Sequence, residues 1–162
     1  MNVKHILFPT DFSGYNNAAL AYASMLAADS GATLHILHVD DLQDVGADMA
    51  EFGYMCATPW DHSDRAKVLE ELDEIRPTIS GVPYEHHYRR GTAAMQIVRF
   101  AQSEGMDLVV MASHGRTGLA RLVTGSVAEE VMRKAPCPVL IVKQPSTKHV
   151  QLEARYQETA GS

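Results

Sequence analysis

The sequence predicts an α/β fold built around a parallel β-sheet, and three observations carry that prediction. The strand candidates are short and continuously apolar, as strands buried on both faces are. Segments of helical period separate them, which implies βαβ units packed around one sheet. The 162-residue chain suits a single domain, and a chain of about 150 residues buries about 70% of its surface without disulfide or metal staples.

The elements follow in order. Ile6-Leu7-Phe8 forms the first strand, its apolar run ending at Pro9. After Ser13 a helical stripe of Tyr15, Ala19, Tyr22 and Leu26 runs to a stop at Gly31. Leu34-His35-Ile36-Leu37 forms the second strand. Residues 61–79 make a second helix, with Ala66, Leu69, Leu72 and Ile75 as its apolar positions. Tyr84 to Arg90 is a more polar strand, suited to a sheet edge. Residues 92–104 form a helix on Ala94, Ile97, Val98 and Ala101, stopped by Gly105. Leu108 to Met111 and Val139 to Val142 are the remaining strands. Between them, residues 126–135 form a helix on Val127, Val131 and Ala135, stopped by Pro136. Residues 40–60 break the rhythm. Met49, Phe52, Tyr54, Met55 and Trp60 make them either a short helix over the sheet or a lid or subunit contact. Residues 144–162 form a polar tail, either mobile or docked through Val150, Leu152 and Tyr156.

Composition narrows the function classes. Hydrophobic residues at 46% and charged residues at 21% exclude collagen, coiled coil and wholesale disorder. A net charge of −6 argues against a non-specific nucleic-acid binder, which needs a basic footprint. It leaves room for a phosphate ligand held by uncharged backbone amides. The two cysteines, Cys56 and Cys137, form no CxxC motif and suit reduced thiols. The initial apolar run is too short for a signal peptide, and no stretch approaches the ~18 apolar residues of a membrane helix. A cytoplasmic protein with no membrane partner is expected. No metal site is expected either, because adjacent His86 and His87 on a strand point to opposite faces.

Ligands of open parallel sheets bind outside the carboxyl ends of the strands. Two such ends carry suggestive chemistry. Ser113-His114-Gly115-Arg116-Thr117-Gly118 follows one strand, and Gly125-Ser126 opens the last helix. The glycines let the backbone approach a ligand closely, and the first amides of a helix form an anion site. Each such contact contributes about 0.3–1 kcal/mol when exposed, whereas a micromolar ligand needs about 8 kcal/mol. A base and sugar pocket must therefore share the work. Ser126 with Glu129 also reads as a capping box, which would stabilise the helix without a ligand. At the other end, Asp11 can accept hydrogen bonds from ribose hydroxyls or an adenine amino group, or serve as a turn residue. With Ser13 as the helix cap, Asp11 is left for the ligand. Neither G-x-x-x-x-G-K-[ST] nor G-x-G-x-x-G occurs.

These residues resemble the universal stress protein family. The similarity is carried by ILFPTDFS at 6–13, LHILHV at 34–39, the strand and glycine loop from Asp107, and APCPVLIVK at 135–143. It covers a domain of residues 1–143. The nucleotide-binding branch has the pattern G-x2-G-x9-G-[ST], which Gly115, Gly125 and Ser126 match, with Ala112 at the first glycine. Alanine there costs about 1–2 kcal/mol if the position needs positive φ, and is tolerated if it needs only a small side chain. The resemblance implies a doubly wound, five-stranded parallel sheet of order 3-2-1-4-5 with helices on both faces. It implies that Asp11 and the Val39 backbone contact adenine and ribose, walled by Pro9 and Thr10. Met111, Ala112, Gly115, Gly118, Gly125, Ser126 and Val127 line the ribose–phosphate side, with His114 and Arg116 in the loop. The expected ligand is ATP or AMP, with Mg2+ a possible companion, and the expected assembly is a homodimer through residues 138–143.

Three functions compete on this reading. The leading one is a nucleotide-responsive, non-catalytic stress module. A dimeric interaction protein that binds no nucleotide is the second, favoured by Ala112. A slow ATPase or self-phosphorylating protein is the third, disfavoured because the loop lacks a P-loop lysine and a distinct carboxylate pair.

Overall fold

A computed structural model of the chain describes residues 3–40, 62–113 and 126–143. Five strands form one parallel sheet in the order β3-β2-β1-β4-β5. They are β1 (His5–Thr10), β2 (Thr33–Asp40), β3 (Tyr84–Arg90), β4 (Leu108–Ala112) and β5 (Val139–Val142). The helices are α1 (Asn17–Ser30), α2 (His62–Glu74), α3 (Ala93–Ser103) and α4 (Ser126–Lys134), with a 3₁₀ turn at Gly14–Asn16. All five predicted strands are present, and polar β3 lies at an edge.

Alternation along the strands explains the two cores. Ile6, Phe8, Leu34, Ile36 and Val110 face α1 and α2, in one buried cluster with Ala19, Ala23, Ala27 and Leu72. Leu7, Leu37, Val109 and Met111 face the other way, against Ile97, Phe100, Ala101 and Val131 of α3 and α4. Helices therefore cover both faces.

Two helical stripes differ from expectation. On α1 the buried residues are Ala19, Ala23, Ser24 and Ala27, while Tyr22 is 50% exposed. An alanine face lets the helix axis approach the sheet, and the bulky Tyr22 is left outside. On α2 Leu72 is buried but Leu69 is 40% exposed, because the helix covers a sheet that ends at β3. That helix stops at Glu74 rather than at residue 79. Pro77 disfavours helical backbone at Arg76, so the chain leaves the helix there.

The start of β1 is stapled to the start of β4. The Asp107 carboxylate accepts from the Lys4 and His5 amides at 2.8 and 3.0 Å, and these bonds hold its pKa below the usual value. The Asp107 amide returns a bond to the His5 carbonyl.

At the other end the same two strands part. β1 pairs with β2 through Thr10↔His38, yet with β4 only at Ile6↔Leu108 and Leu7↔Val109. The Lys4 carbonyl bonds toward β2 and that of His5 toward β4, so by alternation Leu7 and Pro9 also face β4. The next ladder donor after Leu7 would be Pro9, which has no N–H. The run of β1 does not end at Pro9, as its apolar pattern suggests, but continues to Thr10. Only the pairing with β4 ends.

Candidate functional site

The β1–β4 pairing ends short of the carboxyl edge of the sheet, at the point where strand order reverses, the place where open parallel sheets bind ligands. Several elements meet there. The turn after β1 is organised by Asp11. Its Oδ1 accepts from the Ser13 amide at 2.9 Å, the Ser13 hydroxyl at 2.6 Å and the Asn16 side-chain amide. This corrects the expectation that Ser13 caps the helix and leaves Asp11 uncommitted. Ser13 makes no side-chain cap bond; it donates to Asp11. The Asp11 carboxylate is the turn's acceptor, and that role fixes where it stands.

Phe12 follows with φ of 63°, the one positive-φ residue other than glycine among the described residues. A left-handed phenylalanine costs about 1–2 kcal/mol. Three contacts offset that cost. The Phe12 amide donates to the Thr10 hydroxyl at 3.1 Å. The Phe12 ring stacks on His38 with centroids 4.0 Å apart and also packs against the α1 core. His38 in turn donates from Nδ1 to the Thr10 carbonyl at 2.9 Å, which fixes its tautomer because a carbonyl only accepts. Nothing in the composition of PTDFS marks this aromatic pair, which joins residues 26 positions apart across neighbouring strands.

Pro9 and Thr10 are buried, and Val39 is half-buried at the neighbouring strand end. Next to Val39, Asp40 accepts from the Tyr88 hydroxyl at 2.8 Å and lies 3.8 Å from the Arg90 guanidinium. Arg65 of α2 stands over the Tyr88 ring at 5.6 Å. This cluster forms the β3 side of the site. Burial, and then the hydrogen bond to Asp40, push the Tyr88 phenol up to about 12. A raised folded-state value means that its contribution to stability is complete below pH 10, the ordinary tyrosine value. It is lost as pH rises through about 12. Alkaline unfolding of Tyr88→Phe is therefore expected to lack a component between those values, read by urea midpoints at stepped pH.

On the far side stand Met111, Ala112 and Ser113. The Met111 side chain is buried in the α3/α4 core, so this residue offers the site its backbone. Ala112 closes β4 in register with Val142, and its φ is not positive. Ala112 therefore carries no backbone strain. Ala112→Gly should lower stability by about 0.5–1 kcal/mol, since glycine in a strand only adds freedom to the unfolded chain; urea unfolding measures the loss. Ser126 is exposed at the first position of α4, and Val127 is half-buried against the α3/α4 core. His114, Gly115, Arg116, Gly118 and Gly125 lie outside the described residues, as do residues 41–61 and the tail.

With this geometry in place the relatives can be weighed. Residues 2–143 match the Universal stress protein family. The chain belongs to that family. The universal stress protein MJ0531 of Methanocaldococcus jannaschii is 32% identical over 142 residues, spanning 88% of this chain and 83% of its own. Among solved structures, that of protein MJ0577 superimposes with a TM-score of 0.71 at 29% identity, covering 91% of this chain and all 100% of that one. A universal stress protein solved in complex with cAMP is 25% identical, with a TM-score of 0.59 over 90% of this chain and 100% of its own. The all-parallel 3-2-1-4-5 sheet is thus the architecture of universal stress proteins. Among the described residues of this family member, no helix is long and apolar enough to cross a membrane.

Proposed function

We propose that this universal stress protein binds an adenine nucleotide, ATP or AMP, at the carboxyl edge of β1, β2 and β4, and acts as a nucleotide-responsive module without catalysis. The observation that carries the reading is the parting of β1 from β4 beyond Leu7 and Val109. On this reading the nucleotide lies at the ends of these two strands, with Asp11 and Val39 on the β1/β2 side and the Ala112 backbone on the β4 side. A family relative solved with cAMP supports the ligand class.

The residues present fit such a ligand. The Asp11 carboxylate, held by Ser13 and Asn16, accepts from ribose hydroxyls or the adenine amino group. Pro9 and Thr10 supply a rigid, buried wall. Backbone amides at the start of α4, with Ser126 and Val127, face the phosphates. The loop residues His114, Gly115, Arg116 and Gly118, with Gly125, complete the phosphate side through close backbone approach. Mg2+ accompanies ATP by neutralising its phosphates. The module works in the cytoplasm as a homodimer paired along residues 138–143. β5 suits that role as an edge strand bonded, among the described residues, only to β4, with Leu140 37% exposed.

Two substitutions at Asp11 separate turn from ligand. Asp11→Ala strands three donors and should cost about 1–3 kcal/mol of stability. Asp11→Asn keeps a carbonyl acceptor for Ser13 and Asn16 and should fold nearly as the native chain does. Both should weaken ATP and AMP by at least about tenfold, the worth of a lost charge-assisted hydrogen bond. Calorimetric titration beside urea unfolding reads both. Native affinity in Asp11→Asn would remove Asp11 from the site.

A further inference from the structure

A second cluster runs from the start of β1 to the middle of β3, on the α3/α4 face. His5, His35 and His87, from three neighbouring strands, form a continuous row. His5 Nδ1 lies 3.1 Å from His35 Nε2, and His35 Nδ1 lies 3.0 Å from His87 Nε2. Register builds it. His35 stands directly across from Glu85, and His87 follows two positions on, on the same face. Glu85 Oε2 is 3.8 Å from His35 Nδ1 and 3.6 Å from His87 Nε2.

We propose that His35 Nδ1, His87 Nε2 and Glu85 Oε2 form a binding site for a divalent transition-metal ion, Zn2+ foremost. The three atoms make a triangle with sides of 3.0, 3.8 and 3.6 Å. The point equidistant from them lies about 2.0 Å from each, the length of Zn–N and Zn–O bonds. No rearrangement of the backbone is needed to reach it. Two imidazoles and one carboxylate are the borderline-soft donor set that Zn2+ takes, and they leave a fourth position for water. The partly exposed Glu85 side chain, with 60% of its surface accessible, gives the ion a path from solvent.

The surroundings suit the ion. Ligating histidines must be neutral. Burial lowers the pKa of both imidazoles, and the neighbouring His87 lowers that of His35 further, against the pull of Glu85. Protons need only change places. With the His35 proton on Nε2, that nitrogen donates to His5 Nδ1, and the His87 proton moves to Nδ1. His5 thereby becomes the outer-shell partner that orients a metal-bound imidazole. Phe100 packs against both rings, with centroids 6.5 and 4.7 Å away, and fixes their planes. Glu104 adds negative potential, and Arg89 opposes it while lying over the Phe100 ring at 5.3 Å. Such an ion ties edge strand β3 to β2. By register His35 is level with Leu7 and His87 with Leu37, so the ion stands at mid-strand on β2 and β3, to the side of β1.

The test uses the full chain, stripped with chelator and free of nucleotide, titrated with Zn2+ and with Co2+. The expected result is one tight equivalent, a higher thermal midpoint and the intense visible band of tetrahedral Co2+. Loss of an outer-shell partner alone weakens a metal site about 10–100-fold. Removing a ligand, in Glu85→Gln or His87→Ala, should therefore weaken Zn2+ by at least about a hundredfold and abolish the Co2+ band. Glu85 is a surface residue, so Glu85→Gln keeps the question open to test even where His87→Ala unfolds. His86→Ala, on the other face, should bind as the native chain does. Native affinity in Glu85→Gln and His87→Ala, or no uptake by the native protein, overturns the assignment.

Discussion

Gly125→Val should reduce ATP and AMP binding below calorimetric detection while leaving the circular dichroism of the sheet and helices intact. Gly125 immediately precedes Ser126, the first residue of α4. On the proposed function the amides of that first turn meet the phosphate, and a Cβ-branched side chain in place of Gly125 would obstruct its approach. Each lost contact is worth only about 0.3–1 kcal/mol, but they are lost together, and the ribose then loses its alignment with Asp11. Native affinity in a folded Gly125→Val protein would move the phosphate away from α4.

Phe100→Ala should lower unfolding stability by about 3–5 kcal/mol, the range for a fully buried aromatic cut to alanine. Phe100 is 2% exposed and sits between α3 and the row of His35 and His87. Its removal takes away the ring that packs on both imidazoles and leaves a void beside them. The urea midpoint should fall with an unchanged slope. A loss under about 1 kcal/mol would mean that α3 collapses onto the gap.

The strands were legible because burial on both faces removes the alternation that would blur them. β3 was legible for the opposite reason, as polar residues mark an edge. α1 was misread at Tyr22 because an apolar stripe chosen by size hides the alanines that set helix-to-sheet distance. The sheet register could not be read from any local spacing. His86 and His87 do face opposite ways, as strand geometry requires, with His86 bonded to the Ile75 carbonyl and His87 beside His35. What local spacing omits is the neighbour across the ladder, 52 residues away.

At the candidate site, the choice of Asp11 was legible as a residue type at a strand end. Its duty as acceptor for Ser13 and Asn16 was not, since a carboxylate serves a turn and a ligand with the same lone pairs. The left-handed Phe12 was hidden for a different reason: aromatic residues rarely adopt that conformation, and the contacts that offset it, the stack on His38 among them, come from tertiary structure. The meaning of Ala112 turned on a single dihedral angle, which no composition encodes.

Pro9 has a consequence for rates. A sheet that opened for its ligand by breaking ladder bonds would couple every loading event to partial unfolding, and tighter strands would mean slower exchange. Here the ladder between β1 and β4 is ended covalently, by a ring where a donor would be. On the proposed function, sheet strength and ligand traffic are thereby uncoupled: mutations that harden the core would leave the exchange of nucleotide unslowed.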